Sequence, residues 1–414
     1  MSILMNADLV VVGGGASGLL ASGIAAERGL KVILLEPNKI LGKKLRITGK
    51  GRCNIGNNCD VKTLLANVPV NPRFLYGAFS KFDSSAMIAF FEDIGVPLKF
   101  ERGNRVFPQS DNANDIAEAL LRFGRKNGVR ILHERATAVN IKNEAVRSVI
   151  THNVEIECKA AIICTGGLSY PRTGSTGDGY MLAKKLGHTI IKPRASLVPI
   201  ESDDSYCSEM QGFSLKNVLL RVYNDNNKKV YEELGEMLFT HYGVSGPLVL
   251  SASAHMRDID RRKYNMSIDL KPGLDEKKLD TRIQRDFEKY ANKEFKNSLT
   301  ELGSRSMIPV LVRLSGIPEN MKVNCITKTQ RAKLVNLFKN FPVSVKGFRP
   351  ISEAIVTSGG VCVKEIDPKT MQSKLVKNLH FSGEVIDVDA YTGGYNLQIA
   401  WSTAHSAANS VCCD

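Results

Sequence analysis

The sequence of 414 residues contains no apolar run of the roughly 18 residues that a membrane-spanning helix needs. Its first residues, MSILMNADLVVV, lack the basic, apolar and small-residue segments of a secretory signal peptide in their usual order. The nine cysteines include no CxxC pair, and in a long, lysine-rich chain we expect them to be reduced thiols rather than a disulfide framework. These absences predict a cytoplasmic protein without a membrane partner.

Signatures of metal sites and hydrolases are missing as well. The seven histidines show no spacing typical of a metal site, so we predict no bound metal. The chain has neither the GxSxG motif of a nucleophile elbow nor a P-loop. Metal-dependent and hydrolytic functions are therefore set aside. At this length two or three domains are expected, and the sequence shows no internal repeat or low-complexity segment.

Positive charge is the unusual bulk property of the chain. The 56 Lys and Arg against 42 Asp and Glu give a formal net charge of +14. From Arg257 to Arg349 there are 21 basic and 11 acidic residues, a difference of +10 in that stretch. Two interpretations stay open: a solvated face that keeps the protein soluble, or a surface for an anionic partner, because basic surfaces attract polyanions through a long-range field.

The two ends of the chain are typical of an α/β nucleotide-binding domain. The segment DLVVVGGGASGLLASGIAAERGLKVILLE, residues 8–36, predicts a buried strand, a glycine turn, a helix and a second strand. After residue 351 the glycine-rich α/β pattern returns and ends in a predicted helix at 396–411. Between Pro193 and that point, short β-like segments surround a charged, helix-like stretch at 275–296. The simplest architecture is a nucleotide-binding domain made from both chain ends, with another region inserted.

A dinucleotide-binding motif lies in the first of these segments. Gly13, Gly15 and Gly18 fit GxGxxG between a predicted strand and helix, where glycine permits the tight turn, the approach of a pyrophosphate, and close packing of helix on strand. Glu36 stands at the end of the second strand, where an acid accepts a hydrogen bond from a ribose hydroxyl. An acid here favours FAD or NAD over NADP, which carries a 2′-phosphate.

Further glycine-rich loops favour FAD, because an NAD dehydrogenase would not need a second anion-binding loop directly after the first unit. LGKKLRITGKGRCN (41–54) supplies cations and two glycines, CTGG (164–167) ends a predicted strand, and GEVIDVDAYTGGYNLQIAW (383–401) leads into a second helix N-terminus. The end of the first loop, LRITGKGRCN, has four interpretations: a turn, a metal fragment, a reactive thiol or a cofactor cradle. The lack of a second cysteine pair removes the metal fragment, and the position after Glu36 disfavours a simple turn.

These motifs together resemble the HI0933-like or BaiN-type family of bacterial NAD(P)/FAD-dependent oxidoreductases. The resemblance implies an α/β fold with an FAD-binding Rossmann-like domain built from both chain ends, an inserted β-barrel domain and a small helical insertion. On this basis we expect the FAD-binding domain at 1–192 and 351–414, the inserted β-barrel domain at 193–350 and the helical insertion at about 272–325. The stretches that carry the resemblance include GGGASGLLAS, GKKLRITGKGRCN, CTGGLSYPRTGSTGDGY, GEMLFTHYGVSGP, VTSGGVCVKEIDPKTMQSKL and FSGEVIDVDAYTGGYNLQIAWSTAHSAA.

The resemblance also implies which residues hold FAD. Two positions depart from the family pattern: Lys50 stands where a glycine is usual and could alter the path of its loop, and Ala404 stands where the closing helix often has glycine. The expected cofactor-binding residues are Gly13, Gly15, Ala16, Ser17, Gly18, Glu36, Lys43, Lys44, Gly51, Arg52, Cys53, Asn54, Val139 beside the adenine, Thr165, Gly166, Gly167, Gly383, Glu384, Asp387, Gly393, Gly394, Tyr395 and Asn396.

The implied reaction is reduction of a conjugated C=C bond, with NAD(P)H as a transient reductant, although the sequence has no second clear GxGxxG for it. We favour uridine in ribosomal RNA as the substrate, giving dihydrouridine, because the basic stretch suits a polyanion. A small-molecule reductase acting on steroid or bile-acid-like enones, and a non-catalytic flavin-binding protein associated with RNA or ribosomes, are the alternatives. Cys53 is the candidate catalytic acid, or else a small buried residue beside the flavin.

Overall fold

A computed structural model describes residues 3–412 of the chain. The chain divides into two compact units, and the first combines Met1–Ser196 with Ile351–Asp414. The second unit is the intervening segment Leu197–Pro350. The predicted domain boundary between residues 192 and 193 falls inside a strand of the first unit, Ile190–Ser196.

The structure contains the following elements within residues 3–412. The strands are β1 (Ile3–Val12), β2 (Val32–Leu35), β3 (Gly56–Asn57), β4 (Leu98–Glu101), β5 (Arg105–Pro108), β6 (Arg130–Leu132), β7 (Ala138–Lys142), β8 (Ala145–Ile150), β9 (Val154–Ile163), β10 (Ile190–Ser196), β11 (Ile200–Glu201), β12 (Ser214–Asn224), β13 (Lys229–Thr240), β14 (Gly243–Ser245), β15 (Tyr264–Asp269), β16 (Phe341–Ser344), β17 (Gly347–Phe348), β18 (Val356–Val361) and β19 (Leu379–Phe381). The helices are α1 (Ala16–Glu27), α2 (Lys43–Ile47), α3 (Val61–Ala66), α4 (Pro72–Lys81), α5 (Ser84–Asp93), α6 (Ala113–Lys126), α7 (Asp178–Lys185), α8 (Ser205–Glu209), α9 (Pro247–Ser253), α10 (Glu276–Lys289), α11 (Ile308–Ser315), α12 (Lys328–Lys339) and α13 (Tyr395–Ser410).

The first unit is built on a seven-stranded sheet in the order β6-β2-β1-β9-β8-β7, with β19 also paired to β9. The pairs from β6 to β9 are parallel, and their central residues, such as Val10, Ile33 and Ala161, are buried. The ten-residue β9 pairs antiparallel with β8 over its first half and parallel with β19 over its last residues. Continuous apolar runs are expected in such strands because both faces of a parallel sheet are covered.

Both chain ends contribute to this sheet and its covering helices. α1, from the N-terminal part, packs against α13, from the C-terminal part, and both helices are buried along most of their length. β19 adds a strand from the C-terminal part next to β9. The sequence-based expectation of a Rossmann-type α/β fold with elements from both chain ends is therefore confirmed.

The second unit has its own core and a different topology. Its antiparallel sheet runs in the order β16-β15-β12-β13-β14-β11-β17. Within residues 3–412 no ladder joins the end strands β16 and β17, and the expected β-barrel is not confirmed. Helices α10 and α11 lie in the stretch expected to be a helical insertion at 272–325, and α12 extends the helical part to Lys339.

Candidate functional site

The first glycine turn joins β1 to α1 as the motif requires. Gly13 has a φ of +106°, and a Cβ atom there would lie 2.6 Å from the carbonyl oxygen of Cys164. A Cβ on Gly18 would overlap the carbonyl group of Gly13. Side chains are therefore excluded at both positions, which allows the turn, the helix and the end of β9 to pack together.

The start of α1 is open to a ligand. Gly15 is the N-cap of the helix that begins with Ala16 and Ser17, and within residues 3–412 no side chain caps this first turn. A Cβ on Gly15 would meet no described atom within 4 Å. Helix N-termini carry unsatisfied amides and partial positive charge, so this turn can bind a phosphate group.

Glu36 lies directly beside this turn. Its Oε2 atom accepts a hydrogen bond from the Gly14 amide at 2.8 Å, and Oε1 accepts from the backbone and side-chain amides of Asn38 at 2.9 and 2.6 Å. Lys43 donates to the Asn38 Oδ1 atom at 2.7 Å, so it supports Glu36 through this asparagine. A carboxylate offers about four acceptor positions, which leaves Glu36 capacity for a ribose hydroxyl.

Lys44 and Glu384 form an ion pair that joins distant parts of the chain. The Lys44 Nζ atom lies 2.7 Å from Glu384 Oε2 and 2.5 Å from Ser169 Oγ. Glu384 Oε1 also accepts from Ser169 Oγ at 3.0 Å and from the Thr357 amide at 2.7 Å. Thr357 Oγ1 in turn accepts from the backbone amides of Leu168 and Ser169. The network positions the loop after β9, where the side chain of Thr357 also occupies the space beside Gly167.

The loop from Thr48 to Asn54 has an unusual backbone. Gly49, Lys50, Gly51 and Cys53 all have positive φ angles, of 57°, 58°, 85° and 59°. Residues with a side chain rarely adopt this left-handed conformation, so Lys50 and Cys53 store backbone strain. Lys50, which stands where the family usually has glycine, therefore adopts the conformation that favours glycine. A Cβ on Gly51 would meet no described atom within 4 Å.

Arg52 is held by protein carboxylates in this structure. Its Nε atom donates to Asp111 at 2.8 Å, and its NH2 atom pairs with both Glu101 and Asp111. The guanidinium carbon lies 4.3 Å from the ring centroid of Phe107. Arg52 thus anchors its loop to the neighbouring strands, and a direct contact with the cofactor stays a prediction.

Cys53 has no exposed surface. Its backbone amide donates to the Thr48 carbonyl at 3.0 Å, and burial raises the pKa of the Cys53 thiol to about 12. At neutral pH the thiol is therefore protonated, but proton donation to a substrate requires its loop to open. The catalytic role of Cys53 stays a prediction.

Two buried polar atoms near the glycine turns lack a protein partner. The Asn54 Oδ1 and Thr165 Oγ1 atoms make no hydrogen bond within the described residues 3–412. Thr165 and Gly166, which has a φ of +71°, follow β9 beside Gly13. Thr165 Oγ1 faces α7, because a Cβ on Gly179 would lie 2.1 Å from it. Because buried polar groups are nearly always hydrogen-bonded, Asn54 Oδ1 is the candidate of the two for a hydrogen bond to a bound ligand.

The C-terminal loop brings a second helix start to the same region. Gly383 has a φ of +76°, and a Cβ on it would lie 2.8 Å from Ser17 Oγ, which links it to the start of α1. Gly393 and Gly394 have φ angles of +126° and +98° and precede α13. A Cβ on Gly394 would overlap the backbone of Gly56, so a close backbone approach requires glycine here.

Polar side chains hold this loop in shape. The Asn396 Nδ2 atom donates to the Ala390 carbonyl at 2.7 Å, and Asn396 Oδ1 accepts from the Ala390 amide at 2.9 Å. Asn71 Nδ2 donates to both the carbonyl and the carboxylate of Asp387, at 2.7 and 2.9 Å. Tyr395 is partly buried at the start of α13, which raises the pKa of its hydroxyl. These contacts leave the loop preformed around the helix start.

The structure therefore brings together most of the expected residues. Val139 lies apart from these contacts, buried on β7 and paired with Val149, and its contact with an adenine stays a prediction. Sequence patterns missed Asn57, Ser169 and Thr357, because their partners lie far away along the chain. Asn57, which is buried, donates to the carbonyls of Gly103 and Gly393.

Residues 3–412 contain neither a cluster suited to a metal ion nor a helix suited to a membrane. That part of the chain holds no group of three or more His, Cys, Asp or Glu side chains able to bind a metal ion. Within the same residues no helix combines the length and apolar character needed to cross a membrane.

The sequence is similar to a known protein family and to named proteins over almost its whole length. A family model described as the HI0933-like protein Rossmann domain matches residues 7–410. A Haemophilus influenzae protein named ribosomal RNA dihydrouridine synthase is 31% identical over 408 residues, which cover 97% of this chain and 98% of that protein. A Clostridium scindens protein named 3-dehydro-bile acid delta(4,6)-reductase is 28% identical over 409 residues, 97% of this chain and 98% of that protein.

A solved structure shares the fold at low sequence identity. The 3-ketosteroid-delta4-(5alpha)-dehydrogenase of Rhodococcus jostii RHA1, crystallised with 4-androstene-3,17-dione, superposes with a TM-score of 0.53 at 12% identity. The match covers 98% of this chain and 97% of that chain. At this identity the likeness supports the fold alone.

Proposed function

From the premise that the chain belongs to the HI0933-like protein family of FAD-dependent oxidoreductases, we propose that it uses NAD(P)H to reduce a conjugated C=C bond. The favoured substrate is a uridine of ribosomal RNA, which would become dihydrouridine. The redox part of this proposal rests on the glycine turn Gly13–Gly15, the uncapped start of α1 beside Glu36, and the glycine pair Gly393–Gly394 before α13, which together we call the glycine cradle.

The residues present fit FAD. The amides at the start of α1, from Gly15 to Ser17, would hold the diphosphate, and Glu36 would accept from the ribose. Asn54 Oδ1 would gain the hydrogen bond that it lacks. When bound, FAD supplies hydride transfer. The chain supplies position and exclusion of water, through loops held by the Lys44–Glu384 ion pair and by Asn396.

The relatives support reduction of a C=C bond and differ in substrate. The name of the Haemophilus protein specifies dihydrouridine formation in RNA, and that of the Clostridium protein specifies a bile acid. We favour RNA because the net charge of +14 suits a polyanion and is not needed for a small enone. An RNA base would have to be unstacked to reach the cofactor, in a loop or flipped out of a helix.

One experiment decides between the two substrates. The purified protein is tested for a flavin spectrum, and oxidation of NADH and NADPH is followed with unmodified large-subunit ribosomal RNA and with a steroid 3-keto-4-ene. We expect dihydrouridine in the RNA, measured by mass spectrometry of its nucleosides. Turnover of the enone alone would replace the RNA proposal with the small-molecule reductase, which the bile-acid relative favours.

The proton donor is tested separately. We propose Cys53 as a candidate because a protonated thiol can donate to the α-carbon as hydride reaches the β-carbon. Because Cys53 is completely buried, it could instead be a packing residue. Cys53→Ala distinguishes the two roles. A fall in single-turnover substrate reduction of at least about tenfold with normal flavin content would support the acid, and an unchanged rate would exclude an essential role.

A further inference from the structure

The hairpin of β4 and β5 is tied to the loops of the candidate site. Asn57 Nδ2 donates to the Gly103 carbonyl at the hairpin tip, at 2.9 Å, and to the Gly393 carbonyl, at 3.3 Å. The Asn58 amide donates to the Asn104 carbonyl at 2.7 Å, next to the tip. One buried asparagine thus joins the hairpin tip to the glycine pair before α13.

Strand register assigns the hairpin side chains to two faces. Lys99 is opposite Phe107, and Glu101 is opposite Arg105, whereas Phe100 is opposite Val106. Because side chains alternate along a strand, the first two pairs share one face and Phe100 lies on the other. A Cβ on Gly49 would lie 3.7 Å from the Phe107 ring, so the face of Phe107 is the one next to the loop that contains Cys53.

This face carries excess positive charge. We call it the Phe107 surface and define it by the cations of that face, of the turn between the strands and of the adjoining loop: Lys99 and Arg105 on the strands, Arg102 in the turn, and Lys50 and Arg52 in the loop. Its carboxylates are Glu101 and Asp111, which pair with Arg52, Lys99 and Arg105. Arg102 and Lys50 are exposed and form no ion pair within residues 3–412. Arg105 is only loosely paired, at 3.7 Å from Glu101. The Phe107 surface as defined contains five cations and two carboxylates.

The surface offers charge rather than apolar area. Phe107 is only 3% exposed because it is buried in its hairpin, and the guanidinium carbons of Arg52 and Arg105 lie 4.3 and 5.6 Å from its ring centroid. Protein interfaces are centred on apolar or aromatic contacts, which this face lacks. Guanidinium groups bind phosphates through paired N–H donors, so the surface suits a nucleic-acid backbone better than an acidic protein.

We propose that the Phe107 surface holds the RNA phosphates that flank the nucleotide presented to the candidate site. The proposal rests on the proposed function, because it assumes that the substrate is RNA. Arg102 and Arg105 would contact phosphates, and Arg52, fully engaged by carboxylates, is a positioning residue that fixes Phe107 and its loop. An extruded nucleotide needs its neighbouring backbone to be held, and the hairpin tip is bonded to the loop that precedes α13.

The test compares two double variants of the full-length protein. Arg102→Ala/Arg105→Ala removes the proposed contacts, and Lys328→Ala/Lys333→Ala removes two exposed cations from α12 of the inserted unit, where the sequence concentrates charge. Binding to a fluorescently labelled RNA stem-loop with unpaired uridines is measured by anisotropy between about 50 and 200 mM KCl. We expect the arginine variant to bind about tenfold more weakly and its salt slope to fall by about one to two units, with a smaller loss in the lysine variant, whose cations contribute only to the general attraction of a polyanion.

Separate measurements of RNA binding and of dihydrouridine formation distinguish this inference from the proposed function. Flavin absorbance checks that each variant is folded, and Phe100→Ala, on the opposite face, serves as a local control with unchanged RNA affinity. Equal affinity of the arginine variant and the parent protein would overturn the inference, as would a loss confined to the lysine variant. Tight, arginine-dependent binding without dihydrouridine formation would support the surface and reject the proposed reaction.

Discussion

In the unit built from the chain ends, parallel strands finish at one edge of the sheet, and the loops that follow β1, β2, β9 and β19 meet there. The inserted unit contains an antiparallel sheet, in which neighbouring strands run in opposite directions. Only a parallel arrangement places successive strand ends, and the helix starts that follow them, at one edge. The candidate site residues therefore lie together because the strands before them are parallel. The inserted unit, whose sheet is antiparallel, has a separate core.

The largest expected effect contrasts one glycine from each unit. Gly394→Ala would force a side chain into a backbone with φ +98° and against the backbone of Gly56. We expect a loss of at least about 3 kcal/mol in the free energy of unfolding, and loss of bound flavin. Gly273→Ala in the inserted unit, where a Cβ would meet no described atom within 4 Å, should change neither. Urea unfolding measures the stability of both variants, and flavin absorbance measures their bound flavin. A stable, flavin-loaded Gly394→Ala protein would contradict the proposed role of this glycine in flavin binding.

The next contrast compares a partly buried ion pair, Lys44–Glu384, with a more deeply buried one, Lys339–Asp269, in the inserted unit. Glu384→Gln weakens contacts to Lys44 and to the Thr357 amide, and Asp269→Asn weakens the 2.5 Å pair with Lys339 in the inserted unit. Each should cost about 2 kcal/mol of unfolding free energy, because a charged partner is left without its counterion. Only Glu384→Gln should also lower flavin content. Equal flavin loss in both variants would remove the distinction between the units.

Acid should strongly destabilise the unit built from the two chain ends. Burial lowers the pKa of His380 from 6.5 to about 4, and burial also lowers the pKa of His188 and His405 in the same unit. Between pH 6.5 and 4 the unfolded chain binds a proton that folded His380 does not, so stability falls as the pH falls. From pH 7 to pH 5 this histidine accounts for about 2 kcal/mol.

The single tryptophan, Trp401, is buried on α13 and reports on this unit by fluorescence. Its unfolding transition should lose less stability with acid in His380→Gln than in the parent protein, because glutamine does not titrate. In the inserted unit burial lowers the pKa of His255. The acid dependence of a His255→Gln variant can therefore be compared with that of His380→Gln. An unchanged acid dependence in His380→Gln would show that His380 does not contribute.

The smallest expected effect concerns Lys50. Lys50→Gly should raise the free energy of unfolding by about 0.5 to 1 kcal/mol, because glycine adopts its left-handed backbone without strain. Lys50→Ala removes the same charge but retains a Cβ atom, so it should give no gain. Chemical denaturation measures both variants. A gain that is equal in the two would assign the effect to charge rather than to backbone conformation.

Local patterns predicted the nucleotide-binding segment well. The buried strand predicted at the start of residues 8–36, the glycine turn and the acid at the end of β2 all occur, because each depends on a few consecutive residues. The strand that CTGG was predicted to end is β9, Val154–Ile163, and its length of ten residues follows from pairing with β1 and β8. Pairing of this kind is set by partners elsewhere in the chain and leaves no local signal.

The sequence by itself determined the glycine turn, the acidic end of β2 and the family, since backbone conformation and helix starts are encoded by neighbouring residues. Only the tertiary structure decided that Lys44 pairs with Glu384, 340 positions away, that Arg52 is held by Glu101 and Asp111, and that Cys53 is buried. These outcomes depend on which side chains the folded sheet brings within a few ångströms. Charge and burial at a site are properties of that assembly and cannot be assigned from spacing along the chain.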